Sequence, residues 1–185
     1  MITQLKNPKT KEYLDIKELV LGQSFPWFYC NSSVDVSDDF KDITPNWKQF
    51  TNAPFYSHNV LDRPEMYGRN YSAVNSNEAE TIIKMLNQLF DYNGIELWHW
   101  LRINFNCVHP HPKRRQTIPH HDHNRPHNNL LIYLTGAGGE TIVGQEVHDP
   151  EEDDVIIWPD EPGGDMHCHC EPETERRIVL VATYV

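Results

Sequence analysis

The string PHHDHNRPHNNLL, from Pro119 to Leu131, places His120 and Asp122 two residues apart just ahead of an apolar run. In an extended segment residues i and i+2 share a face, so His120 and Asp122 can reach one ion while His121 and His123 turn away. Metal ligands must be unprotonated, and neutral imidazole with carboxylate suits a divalent first-row metal better than calcium, which takes oxygen. The third ligand must come from another strand. His167 and His169, 47 and 49 residues after His120, are the candidates, and being two apart they share a face, so alternation leaves both open. Two histidines and one carboxylate can hold iron on one side and leave the opposite positions for substrate and oxygen. The same set can also serve catalytic zinc.

Arg176 and Arg177 follow His167 by 9 and 10 residues and open the final strand. A guanidinium fork binds a carboxylate through two parallel hydrogen bonds and stays charged at physiological pH. If a dicarboxylate keto acid chelates the metal at one end, its far carboxylate needs such an anchor. Neighbouring strand residues face opposite ways, so one of the two arginines points inward.

The elements that must position these residues are short strands. Leu101, Ile103, Phe105 and Cys107 alternate with Arg102, Asn104 and Asn106, a two-residue period. Leu130–Leu134, Glu140–Val143, Val155–Trp158 and Arg177–Ala182 continue the series, with turn signals such as Gly136-Ala-Gly-Gly139 between them, as in an all-β sandwich or barrel. A helix is expected before them. Asn77 and Glu80 have capping-box spacing, and Ile82, Ile83, Met85, Leu86, Leu89 and Phe90 recur at helical spacing up to Gly94. The first 70 or so residues, rich in Pro, Asn, Asp and aromatics, read as strands and loops.

Composition narrows the function classes. A chain of 185 residues suffices for one domain with a real core. A formal charge of −11 argues against broad attachment to nucleic acid. Lys113-Arg114-Arg115 is the tight basic cluster; it reads as a solvated face, or as a contact for an anionic substrate if it borders the site. Cys30, Cys107, Cys168 and Cys170 have no CxxC spacing and fit small side chains in a reducing cytoplasm better than a disulfide framework. No long apolar segment or leader pattern is visible, so a cytoplasmic protein with no membrane partner is expected.

These residues together resemble the Fe(II)/2-oxoglutarate-dependent dioxygenase superfamily, in which an H-x-D, a distal H and a later R sit on a double-stranded β-helix, or jelly roll. Arg102-Ile-Asn-Phe-Asn106, then PHHDHNRPHNNLLIYL, then Gly-Gly-Glu-Thr, and the earlier FPWFY are similar to the prolyl-4-hydroxylase-like oxygenases common in bacteriophage and marine bacterial genomes. The resemblance is strongest from about residue 101 to the end. It implies a mainly β jelly roll with a supporting helix, N-terminal strands and helix to about residue 95 and the core from about 96. It also implies Fe(II) on His120, Asp122 and His167, 2-oxoglutarate as co-substrate on Arg177 or Arg176 with Tyr133, and O2. His167 is favoured over His169 by Pro172 five residues later, and Arg177 by the alternation that follows it. The glycine that often precedes the arginine is absent, and Thr135 stands where many relatives have Asn. The implied activity is hydroxylation of a prolyl peptide or small molecule, with residues 57–75 and 107–118 as loops setting specificity. A cupin-like metalloenzyme without keto acid, or a non-catalytic jelly-roll binding module, are the alternatives.

Overall fold

The computed structural model describes residues 1–34 and 49–185. In chain order the elements are β1 (Thr3–Leu5), α1 (Lys11–Leu21), β2 (Phe28–Cys30), β3 (Phe55–Asp62), β4 (Ala73–Val74), α2 (Ala79–Asn93), β5 (Trp100–Val108), β6 (His127–Tyr133), β7 (Thr141–Val143), β8 (Glu146–His148), β9 (Val155–Asp160), β10 (His167–His169) and β11 (Arg177–Tyr184). A large sheet runs β1-β9-β6-β11-β5-β3-β2, with β4 beside β3, and a small one runs β10-β7-β8. Residues 116–120 extend the small sheet along β10 through bridges Gln116↔Cys170 and His120↔His167. The result is a double-stranded β-helix.

Strand parity separates two apolar cores on the two faces of the large sheet. Ile178, Leu180 and Ala182 of β11, Ile103 and Phe105 of β5 and Leu130 and Ile132 of β6 pack beneath the helices. The residues between them, Val179 and Val181, join Leu131, Tyr133, Ile156 and Trp158 inside the barrel, with Val143 from the small sheet. All eight residues of β11 are therefore buried. Its inward set begins at Arg177.

The structure corrects the N-terminal expectation of strands and loops: α1 is a helix, so two α-helices rather than one support the sheet among the described residues. The Thr10 hydroxyl caps α1 by accepting from the Tyr13 amide, and Tyr13, Ile16 and Val20, spaced three and four apart, form its buried stripe. The Asp153 carboxylate accepts hydrogen bonds from Tyr13 and Lys17 and pairs with Lys9 at 2.7 Å, which ties α1 to the turn before β9. For α2 the expected stripe and the Gly94 stop hold; Gly94 ends the helix with φ 66°. The expected capping box does not form. Glu78 is the N-cap and makes no side-chain cap bond, and the Ser76 hydroxyl accepts from the Glu78 amide instead. Among the described residues no helix is long and apolar enough to cross a membrane.

Candidate metal centre and its cavity

His120 and His167 are brought together by backbone pairing. Each donates its amide to the other's carbonyl, at 2.9 and 3.0 Å, so the two side chains leave one antiparallel bridge on the same side. His169 instead pairs across Thr117. Asp122 lies beyond the bridge in a bend rather than on a regular strand, and still returns to the face of His120. One donor atom from each of His120, Asp122 and His167 lies within 4.8 Å of the others, the one metal-capable cluster found among the described residues. His121 and His123 point elsewhere, to Asp160 and Thr183 respectively.

The surrounding hydrogen bonds leave the right lone pairs free for a metal. His120 donates from Nδ1 to the Ile118 carbonyl at 2.9 Å, which sets the tautomer and leaves Nε2 unprotonated. Burial, then the like charge of His167, lowers the His120 pKa to about 4, so it is the neutral ligating form at neutral pH. Asp122 directs Oδ1 at Arg102 (2.6 Å) and Arg63 (3.3 Å), while Oδ2 lies 3.6 Å from His167 Nε2. Burial alone would raise the Asp122 pKa; Arg102, His167 and Arg63 overcome it and hold the carboxyl well below its usual range. Arg102 is itself lowered to about 10, first by burial and then by Arg63. Two imidazoles and a carboxylate with one open oxygen fit a divalent metal bound on one side.

Asp160, absent from the sequence-based site, completes this arrangement. Its side chain is buried at the end of β9, Oδ2 lies 3.3 Å from His167 Nδ1, and it accepts from His121 Nδ1 (2.5 Å) and Asn129 Nδ2 (3.1 Å). A carboxylate behind the non-ligating nitrogen orients the ring and raises its basicity. Asp160 shares inward parity with Ile156 and Trp158, and an acid on such a face needs a partner; that was the available signal.

The centre opens into a cavity of about 450 Å³ whose wall includes Arg63, Arg102, Thr141, Trp158, His169 and Arg177. Arg177 is buried; its Nε donates to the Gly139 carbonyl and one terminal nitrogen to Thr141 Oγ1, both at 3.0 Å. Its guanidinium lies 5.2 Å from the centre of the Tyr133 ring, whose hydroxyl is 2.6 Å from Thr141 Oγ1. Tyr133 is fully buried and stands behind this wall rather than in its lining. Arg176 is exposed and outside the lining. Gly139 has φ 80°, and a Cβ there would meet the Cys170 carbonyl at 2.7 Å and Arg177 Cδ at 3.0 Å, so the arginine sits where it does because residue 139 has no side chain. Thr135 accepts from the Ile178 amide and donates to the Arg176 carbonyl, closing the entry to β11.

Two of the three residues of the basic cluster are engaged by carboxylates. Arg115 makes two bonds to Glu171, at 2.6 and 2.8 Å, and Arg114 pairs with Glu140. Cys168 is buried and its sulfur accepts from Gln116. The segments expected as specificity loops are partly strand: β3 holds residues up to Asp62 and β5 ends at Val108. The loop parts that remain contribute Arg63 and Thr117 to the cavity.

No protein-family model matches the sequence, and no curated protein matches it. Solved structures do match in fold. A 2OG-Fe(II) oxygenase family oxidoreductase from Burkholderia pseudomallei superposes with TM-score 0.55 at 16% identity, over 98% of this chain and 95% of that one. A Trichoplax adhaerens prolyl hydroxylase, solved with a peptide fragment of the hypoxia-inducible factor oxygen degradation domain, gives 0.58 at 14%, over 99% and 82%. The non-heme α-ketoglutarate-dependent epimerase SnoN from nogalamycin biosynthesis gives 0.56 at 13%, over 100% and 77%. The chain has the fold of the prolyl-hydroxylase-like 2-oxoglutarate/Fe(II) oxygenases.

Proposed function

We propose that this protein is an Fe(II)- and 2-oxoglutarate-dependent dioxygenase that hydroxylates an organic substrate, with succinate and CO2 as co-products. The observation that carries the proposal is the pairing of the His120–Asp122–His167 cluster with a buried arginine in the same cavity. A cupin-like enzyme without a keto acid has no use for Arg177, whose burial is costly unless an anion joins it. When bound, the iron and keto acid supply the oxidising chemistry by oxidative decarboxylation.

The chain's own part is binding and orientation. His120, Asp122 and His167 would hold the metal through Nε2, Oδ2 and Nε2, with His169 left to pack against Thr117. Arg177 keeps guanidinium donors beyond those given to Gly139 and Thr141 and would clamp the far carboxylate of 2-oxoglutarate. Tyr133 and Thr141 steady that guanidinium. Trp158, packed edge-on against His167 with ring centres 5.3 Å apart, and Leu131 and Val181 give the cavity apolar walls that exclude water from the reaction.

Anaerobic addition of 2-oxoglutarate to the Fe(II)-loaded protein should produce a metal-to-ligand charge-transfer band. In air, succinate should form and should disappear in His120→Ala and Asp122→Ala. A protein that binds iron but gives neither band nor succinate refutes the assignment.

A further inference from the structure

We infer that the primary substrate is a small carboxylic acid, its carboxylate gripped by Arg63 and Arg102 beside the metal centre. The inference rests on the oxygenase assignment and extends it to a substrate class. Both guanidiniums converge on one carboxylate oxygen, Asp122 Oδ1, and Arg63 also donates to the Asp122 carbonyl at 2.8 Å. Among the described residues Asp122 is the one carboxylate that either arginine reaches. Glu65, the nearby acid, pairs with Arg125 at 3.1 Å, and Glu171, the other acid in the wall, is held by Arg115. The charged side chains lining the cavity are thus Arg63, Arg102 and Arg177 against Asp122 and an already neutralised Glu171. In a chain of net charge −11 this is a local excess of positive charge, and a divalent metal increases it.

Asp122 and a dianionic keto acid together leave two of the positive charges of the metal and the three arginines uncompensated among the described residues, and Arg63 and Arg102 carry that excess. The pair is also built to meet a ligand. Arg102 projects from the inward face of β5, its side chain 17% exposed, whereas Arg63, just beyond β3, keeps 35% exposure. Both also line a second cavity on the β2–β3 side, together with Asp62 and Glu65, so the two arginines border both spaces. A carboxylate shared by these two guanidiniums would sit beside Asp122, a residue that would hold the metal, so the oxidised carbon would lie close to the substrate carboxylate. A blocked peptide, without a charge at that distance, would leave the pair uncompensated.

The test is ligand-observed NMR on the full chain loaded with Mn(II) and 2-oxoglutarate. The probes are free amino acids and short aliphatic acids, each paired with its carboxamide. Paramagnetic broadening of 2-oxoglutarate itself reports on the oxygenase assignment, and broadening of the probes reports on this inference, so the two can fail separately. At least one acid should be broadened with an affinity tenfold or more above its amide. Arg63→Gln should erase that preference, and Arg63→Lys, which keeps the charge, should retain part of it. The broadening of 2-oxoglutarate serves as the folding control in each variant. Equal broadening of acids and amides, an acid preference that survives Arg63→Gln, or no broadened acid at all would overturn the inference.

Discussion

Replacing Asp160 by Asn should weaken metal binding without unfolding the barrel. The carboxylate is buried, with one oxygen on His121 and Asn129 accounting for part of the other, which also faces His167 Nδ1 at 3.3 Å. An amide of the same size has one accepting atom, so it cannot serve both histidines. If His167 loses the carboxylate oxygen that faces it, the proton on Nδ1 is no longer favoured over one on Nε2, and the Nε2–H tautomer cannot ligate. His120 is insulated from this change because its Nδ1 bonds a main-chain carbonyl. Loss of such a partner typically lowers metal affinity about 10- to 100-fold, or about 1.4 to 2.7 kcal/mol. Calorimetric titration with Mn(II) measures this, with a thermal melt confirming the fold. A folded Asp160→Asn protein whose affinity stays within about twofold of the parent would refute the argument, since the tenfold floor is the least it allows.

Three further outcomes are expected. Arg177→Gln should weaken 2-oxoglutarate binding by about 2 kcal/mol or more, as for loss of one partner of a buried charge pair, whereas exposed Arg176→Gln should leave it nearly unchanged; titration of the charge-transfer band separates them. Gly139→Ala should also weaken 2-oxoglutarate binding while the metal affinity holds, because the new Cβ collides with Cys170 and Arg177 but with no metal-site residue; equal loss of both affinities would contradict this. Burial would raise the Asp153 pKa, but Lys17, Lys9 and Tyr13 bring it to about 2. A depressed folded value means that the stabilisation is complete above the ordinary 3.8 and is lost as pH falls through about 2. Asp153→Asn, which suits the observed φ of 71°, should cost about 2 kcal/mol at pH 7 and little at pH 2, read by urea denaturation at both.

Residues 101–108 and 177–184 show how much of the fold could be read in advance. Their two-residue alternation is a local property, imposed by the pleat, and from Ile103 onward it divided the side chains correctly, whereas at the start of β5 an irregular register puts Trp100 rather than Leu101 in the helix-covered core. The same parity put Arg177 inward and left Arg176 exposed, whereas Asp122 reaches the face of His120 through a bend that the alternation did not foresee. For α1 the local signal was present, in Thr10 and the Tyr13, Ile16, Val20 spacing, but was outweighed by the turn-forming composition around it.

What the sequence determined by itself is therefore periodic: which neighbours share a face, where α2 ends, and that an H-x-D with later histidines and arginines could bind a metal and an anion. Only the tertiary structure distinguishes His167 from His169, because both have the same parity and it is His167 that pairs with His120 in the antiparallel bridge and joins the cluster with Asp122. It alone supplied Asp160, Arg63 and Arg102, which meet the H-x-D from 20 to 59 residues away. Contacts at such separations follow from strand register and sheet closure, which no local pattern encodes.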